Sequence, residues 1–404
     1  MARPGALDYC GRMAEPLSPQ AAGPLVVGVD VSLAVVCGQL LVVGFDGVTL
    51  PDDLRAAIER GERGGVILFK RNVAVDGERT DLAGVARLTA SVADAAPRDL
   101  PPIVSIDQEG GRVKRLGPPV MQLPPMRAVG SLGDPALVQR LAQAVGHELA
   151  ALGFNLSYAP VLDVDSNPDN PVIGDRAFGA DPRTVMRMGV AYVRGLQAAG
   201  VLACGKHFAG HGDTDLDSHH ALPHVRHSRK RLDEIELPPF RAAVGAGVAA
   251  IMTAHVVYEA LDPAAPATLS RAIVGSLLRA ELGFEGLCIS DDLTMQGVSP
   301  SGGKDPAEVA RVAVEAVESG CDVLLVAHEG EAVRAAHAAL VERAERDARF
   351  RTRCVKSFER AVRIRRMAPP RPITDAARLA EIVGGAASRA AMDELTEALR
   401  RHQD

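Results

Sequence analysis

Short runs of apolar residues alternate along the chain with longer segments in which apolar residues recur at a helical spacing. The runs are rich in Val, Ile and Leu without strict alternation, which is typical of strands buried on both faces of a parallel sheet. They lie at residues 40–45, 65–69, 103–106, 155–159, 201–205, 250–254, 287–290 and 323–326. Helical segments separate them, at residues 80–95, 135–152, 183–199, 239–246, 271–281, 306–319 and 331–348.

This order predicts an α/β protein whose parallel sheet is covered by helices. Repeated strand-and-helix units favour a closed (β/α)8 barrel of the TIM type in a single domain, and an open, doubly wound sheet is the alternative. We assign residues 31–367 to the barrel and residues 1–30 to an irregular leader, expected to be disordered. Residues 368–404 begin with Ala-Pro-Pro-Arg-Pro, which favours a stiff linker, and continue with the spacing of a C-terminal helical extension.

Composition narrows the functional class. The chain has 404 residues, of which 47% are hydrophobic, so it can bury a large core. Charges of both signs are interspersed, the net charge is −6, and aromatic residues make up 3% with no Trp, so nothing favours a nucleic-acid partner.

The cysteines and the N-terminal region indicate the cellular compartment in which the protein is expected. Six cysteines are scattered without a Cys-x-x-Cys pair, and several stand in apolar runs, which favours free thiols in a reducing compartment. Residues 24–43 are apolar but include Asp30 and lack a strongly basic start, so we predict neither a signal peptide nor a membrane span. The expected location is the cytoplasm, with no membrane partner.

Polar side chains capable of chemistry stand directly after most of the apolar runs. In (β/α)8 enzymes the active site lies at the C-terminal ends of the strands, so these side chains are expected to meet at one end of the barrel. They are Asp107, Asp163, Lys206, His207, His255, Asp291 and His328.

The densest polar segment, residues 205–223, follows the fifth apolar run. It combines glycines, acids and histidines, which suits a site loop better than a scaffold. Asp217 stands two residues before His219, and in an extended segment residues two apart project to the same side. The carboxylate can then hold one ring nitrogen and raise the basicity of the other, which predicts a proton shuttle working near neutral pH.

Two other interpretations of this segment stay open. It could be a purely structural loop whose histidines bond the backbone, or it could hold a metal ion. The possible metal ligands are His207, His211, His219, His220, His224, Asp213, Asp215 and Asp217. The segment contains no His-x-His or His-Glu-x-x-His spacing, and glycines at 210 and 212 argue against a helix that would align His207 with His211.

The seventh apolar run ends in two adjacent acids. Asp291, at a strand end in the barrel mouth, is placed for nucleophilic attack or electrostatic stabilisation, and Asp292 could cap the next helix. The alternative is that both acids are caps or salt-bridge partners.

Two further segments contain candidate ligand contacts. Asp107 closes the third run and can accept hydrogen bonds from two neighbouring hydroxyls, and a following glycine pair allows the backbone to approach a ligand. Arg112 and Arg115 come next, and either could instead simply pair with the acid. Arg176, in residues 172–178, is a ligand contact or an ordinary surface arginine. The glycine pair fits neither dinucleotide nor P-loop patterns, so no nucleotide site is expected.

Four motifs stand in a fixed order within residues 37–365. They are Asp-Gln-Glu-Gly-Gly-Arg at 107–112, Gly-Asp-Arg-Ala-Phe at 174–178, Lys-His-Phe-Ala-Gly-His-Gly-Asp-Thr at 206–214 followed by Asp-Ser-His at 217–219, and Ser-Asp-Asp-Leu-Thr-Met at 290–295. Together they resemble glycoside hydrolase family 3, and most closely its bacterial single-domain β-N-acetylglucosaminidases, or β-hexosaminidases. One departure is Ala209, where that family usually has Pro, and we expect it to loosen the turn slightly.

The resemblance implies an enzyme that hydrolyses terminal β-linked N-acetylglucosamine with retention, without a metal or an organic cofactor. It implies Asp291 as nucleophile and His219 as general acid/base with Asp217 as its partner. The residues that match sugar-holding positions are Asp107, Arg115, Arg176, Lys206 and His207. It also implies small carbohydrate substrates from peptidoglycan, such as N-acetylglucosaminyl-anhydro-N-acetylmuramic acid, and we expect a monomer or a weak homo-oligomer.

Three other functions remain open at this point. A β-N-acetylglucosaminide phosphorylase would use phosphate instead of water, because a histidine acid/base repels phosphate less than a carboxylate does. A catalytically silent barrel would only bind muropeptides. A metal hydrolase would use the histidine-rich loop.

Overall fold

Eight parallel strands close into a barrel in the computed structural model, which describes residues 31–214, 222–328 and 330–403. The strands are β1 (Leu41–Val43), β2 (Gly65–Leu68), β3 (Ile103–Ile106), β4 (Leu156–Ser157), β5 (Leu202–Phe208), β6 (Ala250–Thr253), β7 (Leu287–Asp292) and β8 (Val323–Val326). Each pairs with the next along the chain, and β1 pairs with β8 through Leu41–Leu324 and Val43–Val326. The predicted barrel is confirmed, and this closing pair excludes an open sheet.

Helices surround the barrel and extend beyond its last strand. They are α1 (Leu33–Gly38), α2 (Asp52–Glu59), α3 (Leu82–Ala95), α4 (Met126–Ser131), α5 (Pro135–Ala151), α6 (Pro182–Ala198), α7 (Arg229–Glu234), α8 (Leu237–Gly245), a π-helix (Ala272–Glu281), α9 (Pro306–Ser319), α10 (Glu331–Arg346), α11 (Ala348–Met367), α12 (Ala376–Ile382) and α13 (Ala386–Gln403). Within the described residues, no helix combines the length and the apolar character needed to cross a membrane.

The continuous apolar character of the strands has a direct explanation. Alternate residues point into the barrel, where Val42, Ile67 and Leu202 belong to one buried cluster. Their neighbours point outward into the larger cluster under the helices, as Leu41 and Val66 do. Because both faces are buried, both sets of positions are apolar, and the strand runs were visible in the sequence.

Three local features differ from the sequence prediction. The chain enters the barrel through α1, whose first turn is capped by the side chain of Ser32 at 3.3 Å from the backbone nitrogen of Val35. The helix expected at 331–348 is α10, which ends at Arg346, and a further helix, α11, follows directly because Asp347 caps its first turn. The helix expected at 271–281 is a π-helix over most of its length. The predicted leader, residues 1–30, lies outside the described residues.

Helix α11 closes the N-terminal end of the barrel. Ala361 and Ile364 belong to the cluster that fills the barrel interior. The guanidinium of Arg365 donates to the carbonyl oxygen of Gly64, just before β2, at 2.7 Å. The N-terminal end is therefore plugged, and the C-terminal end of the barrel is left for a site.

The predicted C-terminal helical extension is confirmed, and it is docked on the barrel. Leu379 and Leu395, from α12 and α13, are buried in the main core. The buried carboxylate of Glu148 on α5 accepts hydrogen bonds from the backbone nitrogen of Gly384 at 2.8 Å and from the hydroxyl of Ser388 at 2.5 Å. Burial raises the pKa of Glu148, so these two donors offset a real cost of docking.

Candidate active site

The C-terminal ends of the strands surround a cavity of about 340 Å³. This volume is at the small end of the range for ligand pockets, which suits one compact group. Its polar lining includes Asp107, Glu109, Arg115, Arg176, Lys206, His207, His211, Asp291, Asp292 and His328. Its apolar lining includes Ile67, Phe69, Tyr158, Met252, Met295 and Leu325. All five predicted sugar contacts and the predicted nucleophile thus lie in one cavity.

Asp107 is held between two cations at the end of β3. Its Oδ1 lies 2.7 Å from Nζ of Lys206, and its Oδ2 lies 3.1 Å from Nη2 of Arg115. Burial opposes the charge of this carboxylate, but Lys206 and Arg115 outweigh it and hold the pKa of Asp107 below its ordinary value. The site therefore presents an ionised acceptor beside a fixed donor, an arrangement that fits neighbouring hydroxyl groups.

Glu109 is a site residue that the sequence reasoning missed. Its carboxylate forms a two-point ion pair with Arg176, at 2.9 Å to Nε and 2.8 Å to Nη2, and it also lies 2.6 Å from Nζ of Lys206. Burial opposes this charge too, yet the two cations hold the pKa of Glu109 well below its usual range. The signal was available, because a second acid stands two residues after Asp107.

The glycine pair after Glu109 allows a close approach between two segments of the protein. Gly110 and Gly111 have φ of 109° and 54°, values that favour glycine. A Cβ atom on Gly111 would meet Pro125 at 2.9 Å, and one on Gly110 would meet Met126 at 2.9 Å. These glycines therefore allow a close approach to the loop before α4 and to Met126, the first residue of that helix.

His207 and His211 share one buried carboxylate, that of Asp163. Nδ1 of His207 lies 2.7 Å from Oδ2 of Asp163, and the backbone nitrogen of His211 donates to Oδ1 at 2.7 Å. Nδ1 of His211 lies 2.7 Å from the hydroxyl of Thr214. Burial, reinforced by His207, lowers the pKa of His211 to about 4. His211 is therefore uncharged at neutral pH.

The two acids at the end of β7 have different surroundings. Asp292 accepts hydrogen bonds from the backbone and the hydroxyl of Thr294, at 3.0 and 2.7 Å, and from the backbone nitrogen of Ala327 at 3.0 Å. It ties β7 to β8, and the predicted helix cap is wrong, because the next helix, α9, is capped by Asp305. Asp291 lines the cavity and accepts a hydrogen bond from the backbone nitrogen of Asp292 at 2.8 Å.

Two candidate residues from the sequence take structural positions outside the cavity lining. His255 is fully buried, with its ring nitrogens at 2.8 Å from the hydroxyl of Thr268 and 2.9 Å from the carbonyl oxygen of Asp292. Arg112 lies at the exposed rim, where it pairs with Asp175 at 3.1 Å. Asp217 and His219, the predicted acid/base pair, lie outside the described residues.

Part of the histidine-rich segment lies within the described residues. His224 is half-exposed and lies 3.8 Å from Glu259, and Asp213 pairs with His227. In the ranges that the structure describes, no three His, Cys, Asp or Glu side chains come together in a way that could hold a metal ion. The other members of the possible ligand set, at residues 215–220, lie outside those ranges.

Ala209, the departure from the family motif, is held more firmly than expected. It is fully buried, and its backbone nitrogen donates to the hydroxyl of Tyr258 at 3.1 Å. That hydroxyl in turn donates to the carbonyl oxygen of Gly210 at 2.8 Å. A proline could not make the first bond, so alanine exchanges ring rigidity for a hydrogen bond.

Comparisons with known proteins agree with the site. Residues 32–360 match the glycosyl hydrolase family 3 N-terminal domain. A β-hexosaminidase of Thiobacillus denitrificans is 41% identical over 297 residues, which cover 72% of this chain and 79% of that protein. A β-hexosaminidase of Nitrosospira multiformis is 38% identical over 298 residues, covering 72% and 81% of the two chains.

Solved structures give the same result. A family 3 β-N-acetylglucosaminidase from a Paenibacillus species superposes with a TM-score of 0.81 at 41% identity, covering 92% of this chain and 68% of that chain. Native NagZ from Neisseria gonorrhoeae gives a TM-score of 0.73 at 28% identity, covering 89% and 97%. The described parts of the family motifs lie at the strand ends around one cavity, and the family domain matches most of this chain. The chain is therefore a glycoside hydrolase that belongs to glycosyl hydrolase family 3.

Proposed function

We propose that the protein is a retaining β-N-acetylglucosaminidase that removes terminal β-linked N-acetylglucosamine. The observation that carries the proposal is that Asp291 shares one cavity of about 340 Å³ with the ion pairs Asp107–Lys206 and Glu109–Arg176. Relatives named β-hexosaminidase and β-N-acetylglucosaminidase support the choice of sugar.

The cavity chemistry suits one N-acetylated sugar ring. Asp107 can only accept hydrogen bonds and Lys206 can only donate them, so a pair of hydroxyls can donate to one and accept from the other. Arg115 and Arg176 add donors at the edge of the same cavity. Met252 and Met295 offer apolar surface to the carbon faces of the sugar and to the acetyl methyl group.

The reaction proceeds in two steps. The carboxylate of Asp291 attacks the anomeric carbon while His219, as imidazolium, protonates the departing glycosidic oxygen, and a glycosyl ester forms as the old bond breaks. His219, now neutral, removes a proton from water, which attacks the same carbon and releases Asp291. Asp217 holds the imidazole of His219 in position. The natural substrates are N-acetylglucosaminyl muramic or anhydromuramic fragments of peptidoglycan.

The proposed location is the cytoplasm. Five cysteines in the described part of the chain are buried and free, which supports a reducing compartment. Fragments of the cell wall would then be degraded after their uptake, and no membrane or nucleic-acid partner takes part.

A panel of 4-nitrophenyl β-glycosides tests this function. We expect turnover of the N-acetylglucosaminide in preference to the glucoside. His219→Ala should lower the rate about 10²–10⁴-fold on a disaccharide, but much less on activated aryl glycosides whose leaving group needs no proton. Equal loss on both substrates would contradict the acid/base role of His219.

The alternatives give different results in the same assay. A phosphorylase would release N-acetylglucosamine 1-phosphate when inorganic phosphate is added. A muropeptide-binding barrel would bind the sugar without turning over any aryl glycoside. A metal hydrolase would lose its activity after exhaustive chelation.

A further inference from the structure

Asp163 is a buried acid that has no role in the proposed reaction. It lies after β4, fully buried behind the cavity wall. Its Oδ1 accepts from the backbone nitrogens of His207 and His211, at 3.1 and 2.7 Å. Its Oδ2 lies 3.1 Å from the same backbone nitrogen of His207 and 2.7 Å from that ring's Nδ1. One carboxylate therefore holds both the main chain and the side chain of His207.

These contacts determine where the proton on the imidazole lies. Burial opposes the charge of Asp163, but the attraction and the ring hydrogen bond of His207, together with the backbone N–H of His211, hold the pKa of this acid below its ordinary value, so the carboxylate is ionised at neutral pH. An ionised carboxylate can only accept, and the short contact to Nδ1 therefore requires a proton on Nδ1. In the neutral ring, the other nitrogen, Nε2, then carries a lone pair.

His207 lines the cavity beside Lys206. Across the part of the chain that the structure describes, no group bonds its Nε2, whereas Lys206 is paired with Asp107 and Glu109. Nε2 is therefore available to a ligand in the same place as the predicted sugar contacts. A hydroxyl group can donate to such a lone pair, and a fluorine or an ether oxygen cannot.

We propose that Asp163 is a positioning residue that makes Nε2 of His207 a hydrogen-bond acceptor, through which the site selects a free hydroxyl on the sugar. The identity of the ligand rests on the proposed function, and the orientation of the imidazole proton does not. Asp163 acts through His207 and touches no substrate itself.

Asp163→Asn is the informative variant because it keeps the shape of the side chain and replaces the acceptor oxygen that faces Nδ1 of His207 with a donor group. Two backbone N–H groups, from His207 and His211, converge on Oδ1, so the amide oxygen of Asn belongs there. Its NH₂ group then faces Nδ1 of His207 and can only donate. The ring must place its proton on Nε2, which turns an acceptor into a donor.

Histidine ¹⁵N correlation spectra of the labelled full chain, recorded at mildly alkaline pH, test the first half of the proposal. We expect a neutral His207 ring protonated at Nδ1 in the wild type and at Nε2 in Asp163→Asn, with His207→Gln used for assignment. A wild-type ring protonated at Nε2, or a doubly protonated ring, would overturn the proposal.

Monofluorinated analogues of the aryl N-acetylglucosaminide, with each ring hydroxyl replaced in turn, test the second half. In the wild type, one replacement should lower kcat/KM about 10-fold or more relative to the parent sugar. Asp163→Asn should lower kcat/KM on the unfluorinated sugar about 10–100-fold. The additional loss of kcat/KM that this one fluorine replacement causes in the wild type should largely disappear in the variant. A penalty that is unchanged in the variant would overturn the proposal.

Asp165→Asn is the matched control, since Asp165 follows in the same loop but pairs with Arg127 away from the cavity lining. It should leave both the spectra and the fluorine penalties as in the wild type. If the wild type hydrolyses no N-acetylglucosaminide, the proposed function fails, while the proton position in the spectra still decides the role of Asp163.

Discussion

Both ends of the barrel bury ionised side chains, but they use them differently. At the C-terminal end, Asp107, Lys206, Glu109 and Arg176 pair beside an open cavity of about 340 Å³. At the N-terminal end, Asp322 is fully buried just before β8, and α11 covers it. Similar buried charges therefore occur beside the candidate active site and at the barrel end that α11 closes.

At the N-terminal end, groups of the protein itself supply all the hydrogen-bond donors that surround the carboxylate of Asp322. The Asp322 carboxylate accepts from Arg360 at 2.7 Å, from Arg353 at 3.2 Å and from Arg279. The hydroxyl of Ser357 and a backbone nitrogen of β7 complete the set. Burial opposes the charge, and the three arginines hold the pKa of Asp322 below its ordinary value.

The comparison shows that a buried ion network does not by itself mark a functional site. Asp322 has its acceptor positions occupied by the chain, so its charge stabilises the packing of α11 against the strands. Asp107 and Lys206 pair with each other and still face a volume that a ligand can enter. The two ends differ in what the carboxylate itself meets. Asp107 lines a cavity, whereas Asp322 is fully buried and lines none in the described part of the chain, although two of its partners, Arg279 and Arg353, line a surface cleft of about 1080 Å³.

The largest expected effect concerns the cavity end. Asp291→Ala should lower kcat/KM at least about 10⁴-fold on every aryl glycoside, because no other group would supply the bond to the anomeric carbon. Asp292→Ala should mainly lower the free energy of unfolding, since Asp292 bonds Thr294 and Ala327. Steady-state kinetics with denaturant unfolding measures both. Retained activity in Asp291→Ala, with loss in Asp292→Ala, would reverse the assignment.

The next effect concerns the plugged end. Asp322→Asn should lower the free energy of unfolding by about 3 kcal/mol, because three arginines lose a buried counter-charge. The kcat/KM of the folded fraction should change less than about twofold, since the substitution is remote from the cavity. Urea unfolding and active-site-normalised kinetics test this. A large loss of kcat/KM in fully folded protein would show that the two ends are coupled.

Glu109→Gln should separate positioning from stability within the cavity. It keeps the size of the side chain but removes the charge that orients Arg176 and Lys206. We expect kcat/KM to fall about 10–100-fold, chiefly through a higher KM. Arg112→Gln, at the exposed rim, is the control and should have little effect. An unchanged KM in Glu109→Gln would place this acid with Asp322 as a packing residue.

The smallest expected effect concerns Glu236, a buried acid at the cavity end whose charge is only partly balanced by neighbouring groups. Burial raises the pKa of Glu236 to about 7, and Arg231, at 3.5 Å, offsets this only in part. From pH 4.5 to about 7 the folded state keeps a proton that the unfolded state has released, so this group's contribution to stability falls as pH rises.

Glu236→Gln should remove that dependence. Relative to the wild type, the variant should gain about 1–2 kcal/mol in its free energy of unfolding as pH rises through this window, since the part-exposed Arg231 screens the charge. Urea unfolding at a series of pH values measures the difference. If the difference in the free energy of unfolding between variant and wild type does not vary with pH, the charge of Glu236 is balanced by its neighbours as fully as that of Asp322.

Much of the fold and part of the site could be predicted because their signals are local. Strands buried on both faces give continuous apolar runs, so all eight were found within a few residues. Asp107, Lys206 and Asp291 stand directly after these apolar runs and were found for the same reason. Glu109 was missed because its importance depends on Arg176, which is 67 positions away in the chain.

His255 shows the opposite error. It also follows a strand, but its ring turns away from the cavity to bond Thr268 and the backbone of Asp292. The position after a strand predicts which end of the barrel a residue occupies. It does not predict whether the side chain faces the ligand or the neighbouring strand.

By itself, the sequence determined the barrel, the family motifs and the positions of the acids and bases along the chain, because apolar periodicity and motif spacing depend on neighbouring residues. Only the tertiary structure decided which charges meet. Asp107 reaches Lys206 across 99 positions, and Asp163 reaches His207 across 44. Those pairings depend on barrel closure and strand register, which bring distant segments within hydrogen-bonding distance and leave a cavity at one end and a plug at the other.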